Sequence, residues 1–272
     1  MSFDEVIEER DGFVLKIAAD EDCPSPRGKH ESFCHLLVWE NNYNYGDENP
    51  NGSICIEDQP WDLLRELAPK LARRAEKIGE RMTDDEEAGL DLQRKLVAHW
   101  LPRYALMLPV SIHDYGSSGT RIRVGSECYE CEDRQNGWAY VSSKEILKNW
   151  GGKRITKALR QKAIKLIEGE LEEYERWCNG DCWGYVIETA EVEDEDGNIE
   201  GGDQVGDSCW GFIGMEYAEE EGKAALTNHI EWEKKKKRKE KRDEIRRNKL
   251  SGVRGESKGN SRSGARACVA AG

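Results

Sequence analysis

Short apolar runs bounded by turn residues recur along the chain and predict β-strands. The runs are residues 12–18, 33–39, 106–113, 138–141, 183–187 and 209–214. The run 33–39 is apolar at successive positions, which is typical of a strand buried on both faces. The segment 189–208, between the last two runs, is acidic and contains several glycines, so we expect a hairpin loop there.

Apolar residues at helical spacing predict three long helices. These are residues 61–81, 84–100 and 156–178. Pro69 lies inside the first pattern and predicts a break or kink, because proline removes a backbone donor. Thr83 and Glu86 have the spacing of a capping box at the start of the second helix. Gly180 follows the third helix, as a C-terminal glycine does.

The strands outnumber the long helices and do not alternate with them, which argues against a doubly wound parallel sheet. The sequence therefore predicts an α+β protein with a mixed or antiparallel sheet and packed helices on one side. Helical spacing resumes near residue 215, and residues 231–250 predict a charge-dense helix. Beyond residue 251 the chain lacks core-forming residues, which predicts disorder. Two parts follow: an α+β body over 1–230 and a tail over 231–272, helical and then disordered.

Charge divides the chain at the same place. The whole sequence carries 41 Lys or Arg and 54 Asp or Glu, a net charge of −13. Residues 231–272 hold 15 basic and 6 acidic residues, a net charge of +9. Residues 1–230 therefore hold 26 basic and 48 acidic residues, a net charge of −22. A body that negative repels nucleic acid and favours basic partners, whereas the tail favours polyanions.

The sequence predicts a cytoplasmic protein with no membrane contact. No apolar run approaches the roughly 20 residues that span a bilayer, and the acidic first residues lack the apolar segment of a signal peptide. The nine cysteines are odd in number and irregularly spaced. They are therefore expected to remain reduced and mostly buried, and the oligomeric state is left open.

Seven short segments carry a family resemblance. In chain order they are residues 20–27, 43–48, 108–114, 137–145, 150–156, 180–188 and 207–214. In that order and spacing they resemble a family of small acidic proteins, with no assigned activity, carried by bacteriophages, plasmids and conjugative elements. The last segment, Asp-Ser-Cys-Trp-Gly-Phe-Ile-Gly, is the most specific. The resemblance covers about residues 12–215.

The chain departs from the family in two places. The family carries a Tyr-Asp-His-Ser-Gly run where residues 113–119 read His-Asp-Tyr-Gly-Ser-Ser-Gly, so the histidine precedes the aspartate. The basic tail also lies outside the family pattern. The resemblance implies a phage or mobile-element setting in the cytoplasm of a bacterial host, where acidic accessory proteins often blunt host defence.

The acidic body favours a non-enzymatic protein that mimics nucleic acid and binds a basic host protein. DNA carries about one negative charge per 1.7 Å of its axis, so a mimic needs carboxylates in rows. The candidate residues on the long helix and in the acidic segment are Glu168, Glu170, Glu172, Glu173, Glu175, Glu193, Asp194, Glu195 and Asp196. The alternative is an acidic surface that serves only solubility.

A metal-dependent hydrolase is the first alternative function. His113 and Asp114 end a predicted strand, and with His35 or Asp207 they would offer the imidazole and carboxylate ligands that divalent metals accept. The competing interpretation is a histidine that forms structural hydrogen bonds at the strand end.

The cysteines offer a structural zinc site as the only cofactor that the sequence suggests. Cys128 and Cys131 have the spacing of half a zinc site, and Cys178 and Cys182 have that of the other half. The competing interpretation is that Cys178 and Cys182 flank a turn and pack beside neighbouring tryptophans.

The tail supplies the other alternative function, a DNA-associated accessory factor. Its basic run suits phosphate contacts and comprises Lys234, Lys235, Lys236, Lys237, Arg238, Lys239 and Arg242. The tail could equally fold back on the acidic body or remain a solvated helix. Nucleic acid is thus expected to bind only through the tail.

Overall fold

The structure is a computed structural model that describes residues 5–27, 32–39, 45–47, 59–82, 86–125, 135–193, 199–206 and 208–256. The described chain forms an α+β fold, as the sequence predicts, with two four-stranded antiparallel sheets and a small two-stranded one. Contacts divide it into two compact units. The first takes in the described parts of Met1–Ala18, Gly184–Trp210 and Glu216–Gly272, and the second those of Ala19–Trp183 and Gly211–Met215.

The strands are short, and most coincide with the apolar runs of the sequence. They are β1 (Glu5–Arg10), β2 (Phe13–Ala19), β3 (His35–Val38), β4 (Ala105–Asp114), β5 (Thr120–Val124), β6 (Gly137–Ser142), β7 (Cys182–Thr189), β8 (Val192–Glu193), β9 (Ile199–Glu200) and β10 (Cys209–Ile213). The strand orders are β1-β2-β7-β10, β3-β6-β4-β5 and β8-β9. The β8-β9 hairpin confirms the predicted turn between β7 and β10.

The helices match the predicted helical patterns, with one break. They are α1 (Gln59–Leu67), α2 (Pro69–Met82), α3 (Glu86–Trp100), α4 (Ser143–Trp150), α5 (Lys157–Cys178) and α6 (Met215–Glu256). The predicted break at Pro69 is confirmed, because α1 ends before Ala68 and Pro69 begins α2. Proline is tolerated there since the first turn of a helix needs no backbone donor.

The sheet of the second unit has an apolar core on the face that packs against α5. Side chains alternate between faces along a strand, so Leu106, Val110 and Ile112 of β4 point the same way. Helix α5 meets them with a stripe at helical spacing that comprises Ala163, Ile167, Leu171 and Tyr174. This packing sets the orientation of every other side chain on α5.

The opposite face of the same sheet is covered by the helices α1 to α3. Ala105, Met107 and Tyr140 alternate with the residues that face α5, and they pack with Leu64 of α1 and Val97 of α3. The prediction that helices lie on one side is therefore wrong for this sheet. The sequence of β4 indicates that both faces are covered, because consecutive apolar residues begin the strand and leave neither face polar.

In the first unit, β1 and β2 form a hairpin around Asp11 and Gly12. Both residues have positive φ, 57° and 82°, as a type I′ turn requires. The sequence pattern does not predict β1, because Glu-Val-Ile-Glu-Glu-Arg carries too few apolar residues to suggest a strand. The turn and the pairing with β2 stabilise β1, whose own side chains favour a strand only weakly.

Helix α6 packs on this sheet with residues spaced four apart. Ala218, Leu226 and Ile230 are buried, and Gly222 lies against Leu15 of β2 and Tyr185 of β7. A Cβ atom at Gly222 would come within 2.9 Å of a Leu15 methyl and 3.2 Å of the Tyr185 Cβ. The missing side chain therefore lets the helix approach the sheet closely.

The helix continues without interruption from the body into the basic tail. No described side chain from Glu231 onward is buried. The expected boundary at residue 230 therefore lies within a single helix, and the helix ends at Glu256. A helix already formed extends by one residue per hydrogen bond, and residues 251–256 belong to α6. The disorder expected further along the tail stays a prediction. Residues 257–272 lie outside the described chain.

Across the described ranges, no helix is both long enough and apolar enough to cross a membrane.

We expect the substitution Gly222→Leu to lower the free energy of unfolding by about 1–3 kcal/mol, because it overpacks the contact with Leu15 and Tyr185. Gly169→Ala on α5 is the matched control, since Gly169 has open space around its Cβ position. The control should gain up to about 1 kcal/mol from helix propensity. Chemical denaturation of both variants tests this, and an unchanged or stabilised G222L protein would contradict the packing.

Candidate functional site

A buried arginine joins two of the segments that carry the family resemblance. Arg27 is 8% exposed. Its guanidinium donates to both oxygens of Asp47, with Nε–Oδ1 at 2.9 Å and Nη2–Oδ2 at 2.8 Å. Nη2 also donates to the Cys34 carbonyl at 2.7 Å. Burial is the largest single influence and would lower the pKa of Arg27, but the hydrogen bond to Asp47, together with the attraction of Asp47 and Cys34, raises that pKa.

The same network ties nearby backbone to α5. Gly46 N–H donates to the Tyr174 hydroxyl at 3.0 Å, and the Arg27 guanidinium lies 5.8 Å from the centre of that ring. Glu170 accepts from Phe33 N–H at 2.6 Å and Cys34 N–H at 3.1 Å. Burial raises the pKa of the Cys34 thiol to about 12, so the thiol stays protonated at neutral pH. These contacts organise loops, and we assign the network a structural role.

The predicted acidic row on α5 is only partly available at the surface. Glu170 is committed to the backbone as described, and Glu175 accepts from Ile122 N–H at 2.7 Å and Arg121 at 3.1 Å. The remaining members, Glu168, Glu172 and Glu173, are exposed. Two of the five carboxylates are thus engaged within the fold, and a binding role for the row stays a prediction. Glu193 is exposed, and Asp194, Glu195 and Asp196 lie outside the described residues.

The structure does not bring the predicted hydrolase residues together. His113 and Asp114 are neighbours on β4, so their side chains leave opposite faces of the strand. The Asp114 carboxylate accepts from Gly116 N–H at 2.7 Å and stabilises the turn to β5. Across β6, His35 lies level with Met107 of β4. Met107 is six residues from His113, a distance of roughly 20 Å along the strand.

His35 instead stacks on Tyr140 at 4.9 Å and lies 3.8 Å from Glu145. Glu145 already forms the capping box of α4 with Ser142. Asp207, the other expected partner, lies outside the described residues. Within the ranges that the structure describes, no group of three or more His, Cys, Asp or Glu side chains is arranged to hold a metal ion.

The structure describes only one half of the predicted zinc site, so the site stays a prediction. Cys128 and Cys131 lie outside the described residues. Cys178 is half-buried beside Tyr174, and burial raises its pKa to about 11. Cys182 is buried and forms a thiol contact with Cys23; burial, reinforced by that thiol, raises the pKa of Cys182 to about 12. Cys182 thus has a thiol neighbour that the sequence analysis did not consider.

Close backbone approaches explain the two tryptophan-glycine segments. In the first unit, a Cβ atom at Gly184 would collide with the Trp210 ring. In the second unit, Gly214 has φ +107° and its Cβ position is occupied by the Arg176 guanidinium, while its N–H donates to the Asp181 carbonyl at 2.9 Å. Gly184 is required by this packing, and Gly214 by its positive φ, so the structure accounts for one glycine in each segment.

A cationic surface lies on the part of α6 beyond Ile230. Residues 231–248 contain 10 Lys or Arg and 5 Asp or Glu. Five of the basic residues recur at steps of three or four and therefore share one helical face. We call this face the cationic stripe, and it consists of Lys235, Arg238, Lys239, Arg242 and Arg246, all exposed. It runs for about 17 Å along the axis.

The acidic residues of the same helical segment avoid the stripe. Glu240 and Glu244 lie on the opposite side, where they share a shallow groove with Lys237, Lys241 and Arg247. At 3.6 residues per turn, Glu233 lies on the side opposite the stripe, and Asp243 lies between the two sides. Glu231 alone aligns with the stripe, at its first turn, where it pairs with Lys235 at 3.4 Å.

The packed half of α6 orients the stripe away from the sheet of the first unit. Nine residues, or two and a half turns, separate buried Leu226 from Lys235, so the two lie on opposite sides of the helix. Two contacts hold the helix there: Lys234 Nζ lies 2.8 Å from Asp11 Oδ2, and Arg10 donates to Thr227 at 2.7 Å. The hydrogen bond from Lys234 lowers the pKa of Asp11, so the pair persists until acidic pH.

The first unit also carries most of its negative charge before this surface begins. Its described residues up to Ile230 include 13 Asp or Glu and 3 Lys or Arg. Opposite charge densities thus occur within one unit and along one helix. The basic run is evident in the sequence, and the spacing of the stripe residues follows the helical period.

Comparison of the chain with models of known families, with curated proteins and with solved structures gave no match. The resemblance to mobile-element proteins therefore stays a prediction.

We expect Arg27→Ala to lower the free energy of unfolding by about 3–5 kcal/mol, because it leaves the buried Asp47 carboxylate without its partner. Arg27→Lys should also destabilise, since an ammonium cannot form the bidentate pair. The control Arg65→Ala removes an exposed pair with Asp62 and should cost about 1 kcal/mol or less. Urea denaturation measures all three, and an R27A loss no larger than that of R65A would refute the network's structural importance.

Proposed function

We propose that the protein is a non-enzymatic accessory protein that binds nucleic acid through the cationic stripe of α6. The observation that carries the proposal is the segregation of five exposed cations on one face, directed away from the sheet. Lysine and arginine side chains arranged in this way contact phosphates and release counterions, which yields affinity without base recognition. An α-helix of this kind fits the major groove of duplex DNA.

The dimensions of the stripe suit a short run of phosphates. Each strand of DNA advances 3.4 Å per phosphate along the axis. The stripe's length of about 17 Å therefore spans about five steps. Arginine supplies three of the five cations, and its planar guanidinium matches phosphate better than an ammonium does.

The energetics of the helix also favour a polyanionic partner. Lys234 to Lys239 place six consecutive cations on one and a half turns, and like charges at four-residue spacing destabilise a helix. The ion pairs within this segment, such as Lys235 with Glu231 at 3.4 Å, are exposed and contribute little. A bound polyanion would neutralise this repulsion and stabilise the segment.

The acidic part of the same unit would confine nucleic acid to the helix. With 13 acidic and 3 basic residues before Glu231, it repels phosphates. If nucleic acid binds through α6 alone, the interface between them is small. The proposal is therefore one of moderate, strongly salt-dependent affinity rather than an extended interface.

The acidic surface supports a second candidate, the binding of a basic protein by nucleic-acid mimicry. The observation that favours it is the concentration of carboxylates in the first unit, where β1 and the first turns of α6 expose Glu5, Glu9 and Glu220. In the phage or mobile-element setting that the resemblance implies, the partner would be a basic host protein of defence or DNA processing. The two candidates use different surfaces and are compatible.

We expect the wild-type protein to bind duplex DNA with a log–log salt slope of about −4 to −5, from five phosphate contacts. The variant R238Q/R242Q/R246Q should weaken binding and reduce the slope by about 3, one for each lost contact. The matched control K237Q/K241Q/R247Q removes the same charge from the opposite face and should retain the wild-type slope. Fluorescence anisotropy at several salt concentrations measures this, and equal losses in both variants would exclude a specific stripe.

For the second candidate, we expect a small basic bacterial DNA-packaging protein, used as the probe, to bind the full chain at low salt and dissociate at high salt. E5Q/E9Q/E220Q should weaken that binding, because it removes three carboxylates of the first unit. E168Q/E172Q/E173Q, which removes three from α5, is the control. Calorimetric titration distinguishes them, and mimicry by the first unit is ruled out if its triple variant binds as well as the control.

A further inference from the structure

A cleft of about 630 Å³ lies in the first unit beside the start of the cationic stripe. This volume falls within the range of small-molecule sites. Its lining combines buried residues of β7, one glycine and one face of α6. The residues are Tyr185, Ile187, Gly206, Glu221, Ala224, Ala225, Asn228, His229 and Trp232. The two alanines leave room that larger side chains on the helix would fill.

Two aromatic rings form one wall of the cleft. The His229 ring meets Phe13 edge to face, with centroids 4.8 Å apart. On its other side, a Cβ atom at Gly206 would come within 2.8 Å of Nδ1, so the ring is closely held. Trp232 follows at 6.0 Å from His229, and 55% of it is exposed. An exposed indole next to a fixed imidazole is a surface on which a planar ring can stack.

Polar groups of the cleft match the edge of a heterocycle. The Glu221 carboxylate accepts hydrogen bonds, and the Asn228 amide both donates and accepts them. Both residues line the cleft with the aromatic wall. An unpaired nucleobase presents donors and acceptors on its Watson–Crick edge and a flat face for stacking. An aliphatic ligand could contact the rings but would leave these polar groups without hydrogen-bond partners.

The cleft ends close to the start of the cationic stripe. Trp232 precedes Lys235 by three residues, a rise of about 4.5 Å along the helix. Lys236 Nζ lies 4.9 Å from the centre of the Trp232 ring, so positive charge already borders the aromatic surface. A base stacked on Trp232 would therefore have its own phosphate within reach of the first cations of the stripe.

We propose that this cleft accepts one unpaired base of a nucleic acid whose phosphates lie on the cationic stripe. The inference rests on the proposed function and deepens it. The preferred substrate would be a duplex with a single-stranded end, or a single strand, rather than a blunt duplex. The stripe supplies affinity without sequence preference, and the cleft selects for an unstacked base.

The test compares a blunt DNA duplex with the same duplex carrying a short overhang that contains 2-aminopurine. We expect the overhang to bind about tenfold more tightly, in line with the known contribution of base–aromatic stacking. We also expect quenching of the 2-aminopurine fluorescence. Trp232→Ala should abolish the preference and the quenching, and leave the affinity for the blunt duplex unchanged.

Two further variants separate loss of stacking from loss of structure. Ala224→Leu partly fills the cleft from an exposed helix position and should also remove the preference, with Trp232 still present. Tyr217→Ala removes an exposed aromatic of the same helix that does not line the cleft, and should behave as wild type. Circular dichroism confirms the fold of each variant.

The outcomes distinguish the two proposals. Equal affinity of the wild type for blunt and overhanging DNA overturns the cleft proposal and leaves the stripe in place. A preference that survives both W232A and A224L also overturns it. If the protein binds neither probe at low salt, the stripe and the cleft proposals are both wrong.

Discussion

The packing of α6 on the sheet of the first unit determines where every functional candidate on that helix points. Gly222 permits the close contact with Leu15 and Tyr185, and buried Leu226 and Ile230 extend it. Each residue of an α-helix turns by about 100° and rises 1.5 Å. A slip of one residue in this register would therefore rotate the cationic stripe by a quarter turn or more toward the sheet. The stripe and the cleft both depend on this one interface.

The same interface explains how a highly charged helix can continue beyond the core. Helix formation is limited by its first turn, and later residues add one hydrogen bond each. The packed half, from Met215 to Ile230, provides that nucleus, so the charged half need only extend it. Extension still opposes the repulsion among neighbouring lysines. The basic segment is accordingly the part of α6 whose stability should respond most to salt or to a bound polyanion.

Local patterns in the sequence predict most elements but few of the contacts between them. The apolar runs identify six strands, and Pro69 marks the break between α1 and α2. Strand β1 escapes detection because a hairpin turn and a partner strand, rather than its own residues, hold it in place. Glu170 and Glu175 look like surface carboxylates, since nothing local reveals that backbone N–H groups of distant segments will reach them.

The functional residues show a similar division. Strand alternation alone places the side chains of His113 and Asp114 on opposite faces, so their separation was predictable. The spacing of the cationic stripe was also readable, because it follows the helical period. Which side of α6 would face the sheet was not, since this depends on the fit of Gly222 between two strands. The wall of the cleft likewise joins Gly206 to His229, which no local pattern connects.

The segments that resemble a known family have structural explanations, and this bears on where the activity lies. Arg27 links the segments 20–27 and 43–48, and Ser142 with Glu145 caps α4 within the segment 137–145. Gly184 makes room for the Trp210 ring, and Gly214 adopts a positive φ that favours glycine. Such residues would be retained by any chain with this fold, whatever it binds. The exposed cations lie outside these segments, on a helix that begins in the core. We infer that the acidic body serves as a scaffold. The fixed register of α6 on that scaffold determines the direction in which its exposed cations point.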